Sequence, residues 1–399
     1  MEGCRQTGDE KLRYPMDDLS NLLLTTGALA LAAGVLIGLH GIRAYSRLTT
    51  YLKGSHGSTG QGIVILGLIL RGAAVLVLGG IAVFWIQENS GKEHRLQEIR
   101  TKALMAYSDQ VDWNAPDPQT LPEGREEQLI AYGRDLIART GDYFGAYGLV
   151  RPNSVNALNC QNCHLDAGSK PFGNNYAAVA ATYPKVRARS GQSEGITFRV
   201  NDCFMRSLDG QPLDTNSREM RAIVAYIRWL GSNVPAQQTP KGSGILRLPY
   251  PDRAADPVKG QAVYTAKCAS CHGPDGAGLP MPESPRSYPP LWGMKSYSEA
   301  AGLFRVSRFA GYVKANMPFG ATYQNPQLTD EEAWDVAAFV NSQPRPKHRF
   351  LAQDWPDISK KPVDHPFGPY ADTFSEQQHK YGPYQPIEDF YKQKNGKVR

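Results

Sequence analysis

The sequence predicts a mainly α-helical chain in which an N-terminal two-helix transmembrane hairpin precedes two tandem copies of one small helical domain. Three observations predict it. Two long apolar runs are confined to the region before about residue 90. Two C-x-x-C-H motifs, Cys160 to His164 and Cys268 to His272, each lie between helix-forming segments. The closing segments of the two copies carry apolar residues at helical spacing. With 399 residues there is length for two or three domains, and the 41% hydrophobic content is that of a folded chain. The formal net charge of +6 suits anionic small molecules or an acidic redox partner, and with no basic stripe it sets nucleic acid aside.

Residues 1–106 read as the membrane anchor. No charged residue falls between Leu19 and Leu39, and Gly62 to Ile86 is interrupted only by Arg71. Helices over about 19–40 and 62–86 are each long enough to span a bilayer. Asp17 and Asp18 stand where a cleaved secretory signal carries Lys or Arg, so the first run reads as retained. Between the runs lie Arg43, Arg47 and Lys53 and no acid. The positive-inside rule makes that loop cytoplasmic and puts both termini outside. Arg71 reads as snorkelling to the cytoplasmic headgroups. Membrane lipid is thus an expected partner, with residues after the anchor on the periplasmic side of the cytoplasmic membrane.

Four of the six cysteines belong to the two motifs, leaving Cys4 and Cys203, so no disulfide framework remains. C-x-x-C-H is the attachment pattern of c-type haem: two thioethers and a proximal histidine. A zinc site would leave the histidine after each pair unexplained. Two covalent haem c groups are therefore expected, on Cys160, Cys163 and His164 and on Cys268, Cys271 and His272. Such haems are attached outside the cytoplasmic membrane, in agreement with the charge-derived topology.

The first copy is expected over 120–231, with a helix from about Glu126 through Gly133 to Ile137 and a closing helix from Arg218 to Leu230. The second is expected over 252–342. There Asp256 to Ala266, containing Gly260 and Tyr264, precedes the motif. Thr329 and Glu332 have capping-box spacing at the start of the closing helix. Ile223, Val224, Tyr226 and Ile227 match Val336, Ala337, Phe339 and Val340. A helix before the haem, a loop, and a closing helix crossing the first describe the class I cytochrome c fold. Ser232 to Pro257, rich in Pro and Gly, reads as a linker. The Pro/Tyr-rich tail, 343–399, shows no periodicity and is expected to wrap the haem domains.

Function turns on the residue opposite each proximal histidine. In the second copy Met317 fits best, in a loop stiffened by Pro318, and Met281 and Met294 fit less well. In the first copy the position falls near Phe204, between Cys203 and Met205, and spacing leaves both open. Lys185, Arg187, Arg189, Arg199 and Arg206 lie close together against only Glu194 and Asp202, a cluster suited to a dianionic oxo-sulfur compound.

Several segments in order resemble the dihaem thiosulfate dehydrogenase family. They are the first haem motif, Arg189-Ser-Gly-Gln-Ser193, Asn201-Asp-Cys-Phe-Met-Arg-Ser207, the second haem motif, Asn316-Met-Pro-Phe-Gly320, Pro366-Phe-Gly-Pro-Tyr370 and His379-Lys-Tyr-Gly-Pro-Tyr384. The resemblance spans about 125–388. It implies a catalytic haem between His164 and Cys203, and a relay haem between His272 and Met317 with Lys314 as a minor alternative. It also implies a substrate site at Arg189, Arg199 and Ser207, which Arg206 adjoins. The implied reaction couples two thiosulfates to tetrathionate, or runs in reverse. Its electrons would go to a cytochrome c, a high-potential iron-sulfur protein or an oxidase. The membrane hairpin departs from the family pattern. A rival reading, a non-enzymatic dihaem carrier feeding a terminal oxidase, expects Met205 at the first haem. A second rival, conjugation of thiosulfate to a sulfur-carrier protein, expects no turnover of thiosulfate alone.

Overall fold

Two helix crossings organise the chain, and each depends on a glycine. In this computed structural model, which describes residues 79–80, 84–88 and 112–395 except 122, 157, 285, 349 and 350, helix α1 spans Arg125–Ala138. Helix α2 is Ile196–Arg206 and helix α3 is Arg218–Leu230. In the second copy α4 is Pro257–Lys267, α5 is Val306–Asn316 and α6 is Asp330–Ser342. Helix α1 crosses α3, and α4 crosses α6. A Cβ on Gly133 would stand 2.0 Å from the Ala222 carbonyl oxygen and 2.9 Å from Tyr226 Cβ. One on Gly260 would stand 1.9 Å from the Asp335 oxygen and 2.8 Å from Phe339 Cβ. Both copies therefore cross backbone on backbone at matching positions, and only glycine allows it.

Capping explains where α3, α4 and α6 begin. Ser217 accepts from Met220 N at the start of α3. Asp256 accepts from Val258 N and Lys259 N ahead of Pro257 in α4. Thr329 and Glu332 form the expected capping box on α6. Their apolar faces bury Ile223, Tyr226, Ile227 and Leu230 in the first copy and Trp334, Val336, Ala337 and Val340 in the second.

Three elements go beyond the sequence expectations. Helix α2 was read only as a charged segment, and Gly195, the residue before it, supplies no side-chain cap. A short antiparallel pair, β1 (Lys185–Arg187) and β2 (Gln192–Glu194), precedes it. The tail is partly helical, with α7 at Glu376–Tyr381, capped by Ser375, and α8 at Gln385–Asn395. Its anchors are tertiary: His379 is buried and bonded to Asp372 at 3.0 Å, and Tyr391 donates to the same carboxylate at 2.6 Å.

Direct bonds join the copies. Tyr312 on α5 donates to the Asn162 carbonyl, inside the first C-x-x-C-H motif, at 2.8 Å. Asn316 donates to Phe172 O at 3.1 Å, and Ser298 to Arg206 O at 2.5 Å. Among the described residues no helix is long and apolar enough to cross a membrane. The expected spans at 19–40 and 62–86 lie outside the described residues, apart from 79–80 and 84–86.

Candidate active site

The first motif opens onto a cavity of about 560 Å³ whose wall includes Cys160, Cys163, His164 and Cys203. His164 Nδ1 sits 2.5 Å from the Asn174 carbonyl oxygen, which makes it the protonated nitrogen and leaves Nε2 as the donor. The ring stacks on Tyr176 at 4.5 Å. Gly168, at φ 88°, makes room for that tyrosine, since a Cβ there would lie 2.1 Å from its ring. Burial pushes the His164 imidazole down to about 4, so it is neutral and able to ligate. At the second motif His272 Nδ1 is 3.0 Å from Pro289 O, and burial again lowers the imidazole. Two thiols and a neutral imidazole around a cavity of porphyrin size are the donor set and the space that haem c requires.

Helix geometry separates the two residues that spacing left open. Ile196, Arg199, Val200, Cys203 and Ser207 recur at helical intervals, and all line the cavity. Met205, two residues beyond Cys203, is not part of that lining. Arg199 stands close enough to Cys203 that a thiolate there is the largest influence raising its guanidinium. Met317, at the C-terminus of α5, packs against the core, whereas Met294 is exposed. Lys314 is committed elsewhere, at 2.7 Å from both Leu328 O and Asp330 Oδ1.

The basic cluster is not the open set of cations that its composition suggested. Arg189, Arg199 and Arg206 converge on Asp202, which is buried. Arg199 Nη1 lies 2.5 Å from Oδ2 and Arg206 Nε 2.6 Å from Oδ1, with Arg189 also on Oδ2. Arg206 is further clamped by Asp354 through two bonds of 2.7 and 2.5 Å. It therefore has less to offer a ligand than Arg189 and Arg199, which line the cavity while Arg206 does not. Burial, with Arg206 and Arg199 nearby, pushes Arg189 down to about 9, still charged at neutral pH. Lys185 and Arg187 also line the cavity, but Arg187 is engaged by Tyr183 at 3.0 Å.

Sequence reasoning missed the part of the wall that comes from elsewhere in the chain. Leu351, Asp354, Trp355 and His365 of the tail line the cavity, as do Arg305 and Arg308 of the second copy. Trp355 N donates to Arg189 O at 2.7 Å and its indole to His365 Nε2 at 3.1 Å, so the tail is bonded directly to the basic cluster. The specificity of the tail segments was the one available signal.

Known proteins resemble the chain over this region. Residues 151–235 match the SoxA/TsdA cytochrome c domain family, and residues 257–344 match the cytochrome c family. These two cytochrome c domains carry covalently bound haem c. A thiosulfate dehydrogenase from Allochromatium vinosum is 35% identical over 254 residues, covering 61% of this chain and 89% of that protein. One from Psychrobacter arcticus is 34% identical over 244 residues, covering 61% of this chain and 71% of that protein. The solved thiosulfate dehydrogenase (TsdBA) of Marichromatium purpuratum, in its as-isolated form, superposes with a TM-score of 0.53 at 32% identity. The match covers 59% of this chain, which spans half the length of that one.

Proposed function

The chain belongs to the thiosulfate dehydrogenase family, and from that premise we propose that it couples two thiosulfate dianions into one tetrathionate, releasing two electrons. The observation that carries this reading is the shared cavity wall of Cys203, Arg199, Arg189 and Ser207 beside the first C-x-x-C-H motif. Haem c would be held there by Cys160, Cys163, His164 and Cys203 and would supply a one-electron acceptor, and a second haem held by His272 and Met317 would supply another.

The residues do the electrostatic work. Two dianions about 6 Å apart repel by on the order of 10 kcal/mol at an effective dielectric of about 20. Arg189 and Arg199 offset that repulsion through their guanidinium forks, which bind sulfonate oxygens in pairs. Asp202 holds both guanidiniums in place before substrate arrives, and Asp354 fixes Arg206 behind them. Ser207, one helical turn beyond Cys203, donates a hydrogen bond to the substrate. Cys203 is the side chain that takes up a sulfane sulfur, the two electrons released by forming that S–S bond passing to the two haems.

The reaction is reversible in principle, with tetrathionate as the reverse substrate. The acceptor is a periplasmic or membrane redox protein: a cytochrome c, a high-potential iron-sulfur protein or an oxidase. From the charge and hydropathy of the sequence alone we further propose that residues 1–106 attach the enzyme to the cytoplasmic membrane, with the haem domains on its periplasmic side.

Replacing Cys203 by Met tests the assignment. The variant is expected to retain two covalent haems, lose the low-spin thiolate signature in electron paramagnetic resonance, and lose nearly all thiosulfate oxidation. Wild-type turnover would overturn it.

A further inference from the structure

The cavity has a second group of cations, distinct from those on Asp202. Arg187 on β1, Arg247 in the connecting segment, and Arg305 and Arg308 at the start of α5 all line it. Acids stand near them too: one buried Glu194 oxygen has no hydrogen-bond partner, and Glu299 lines the same cavity. Glu194 accepts from Ser190 at 2.7 Å and lies 4.0 Å from Arg187. Asp364 accepts from Arg305 Nε at 2.8 Å and from Ser307. Arg308 is different: among the described residues its guanidinium makes no ion pair and no hydrogen bond.

Arg308 is nonetheless drawn away from water. Burial is the main reason its guanidinium is pushed down to about 10, and Arg305, Arg247 and Arg187 add like-charge repulsion that Asp364 only partly opposes. A partly buried cation facing other cations is unfavourable unless an anion completes the site. A guanidinium is also the side chain best shaped to take a planar or tripodal set of oxygens through two bonds. Arg308 reaches this cavity from the second copy, across the contact where Tyr312 of the same helix bonds the first haem motif.

We propose that Arg308, supported by Arg247 and Arg187, forms an anion site in the cavity for a carboxylate or sulfur oxyanion, supplied by a propionate of the first haem or by a free dianion. The propionate source rests on haem occupancy alone, and the free dianion also rests on the proposed reaction. In either case α5 contributes to the first haem's cavity a residue that the first copy lacks. Docking of the two copies thereby completes the site.

The test uses the full-length haem-loaded protein as wild type, Arg308→Lys and Arg308→Gln. One readout is the midpoint potential of the first haem, by redox titration without thiosulfate. The other is binding of sulfate, an unreactive dianion, followed by perturbation of the haem spectrum. With a propionate at the site, Arg308→Gln favours the oxidised haem. The reduced-to-oxidised ratio at a fixed potential falls about tenfold, or 59 mV for one electron, while Arg308→Lys keeps most of the wild-type value. With a free oxyanion the sulfate dissociation constant rises about tenfold in Arg308→Gln, whereas with a propionate at the site it keeps its wild-type value. If Arg308→Gln moves neither readout, the proposal is overturned, and a raised unfolding midpoint alongside would identify Arg308 as a merely tolerated buried charge. Neither readout involves turnover, so failure of thiosulfate oxidation is scored separately.

Discussion

Replacing Gly260 by Ala places a methyl carbon 1.9 Å from the Asp335 carbonyl oxygen and 2.8 Å from Phe339 Cβ. Ordinary contact needs about 3.4 Å, so α4 and α6 must part by roughly 1.5 Å, because a backbone carbonyl cannot rotate away as a side chain can. Overpacking of this kind costs about 1–3 kcal/mol. Alanine's better helix propensity returns about 0.5–1 kcal/mol. Asp335 adds to the loss, since it is buried and holds Arg253 through two bonds of 2.8 Å and Asp256 N at 2.8 Å. The net expectation is a loss of about 2 kcal/mol, lowering Tm by about 4–8 °C in a unit of this size. Gly133→Ala should match it, because the Ala222 oxygen would lie at 2.0 Å. It should also disturb the first haem's spectrum, since Ile223 and Ile227 of α3 line its cavity. Gly195, with nothing within 4 Å of its Cβ, is the control and should tolerate alanine. Thermal melts of the haem-loaded protein by far-ultraviolet circular dichroism read all three. Gly133→Ala and Gly260→Ala melting at or above wild type would refute backbone-limited crossings.

Other outcomes follow from the site. Arg199→Gln should raise KM for thiosulfate at least tenfold, since it removes a cavity-facing guanidinium. Arg206→Gln should act mainly on stability, because Arg206 is held by Asp202 and Asp354 and does not face the cavity; steady-state kinetics and melts of both variants separate the two effects. The Lys267 ammonium, 2.8 Å away, holds the Glu332 carboxyl below its ordinary value. That contribution is fully present above the unfolded carboxyl range and is lost as pH falls through the depressed folded value. Lys267→Met should therefore flatten the acid limb of a melting-point-against-pH profile, by well under 1 kcal/mol for so exposed a pair.

How far the sequence alone could be read depended on which contacts were local. Helices α3, α4 and α6 were legible because their caps are local: Ser217, Asp256 before Pro257, and Thr329 with Glu332. Helix α2 was not, being studded with polar residues and lacking a side-chain cap. Its phase is what puts Cys203 on the cavity face and Met205 off it. Asp202 lies three residues from Arg199 and four from Arg206, so half of the arginine hub was readable as helical spacing once a helix was assumed. Asp354, 148 residues from Arg206, and Arg308, brought in by α5, depend on the tertiary fold and left no local signal.

The most direct measurement is product analysis of the purified haem-loaded protein given thiosulfate and ferricyanide. The proposed reaction predicts tetrathionate as the product, with two ferricyanides reduced for each tetrathionate formed and no thiosulfate-accepting protein required. Haems that reduce with dithionite while thiosulfate yields no tetrathionate would contradict it.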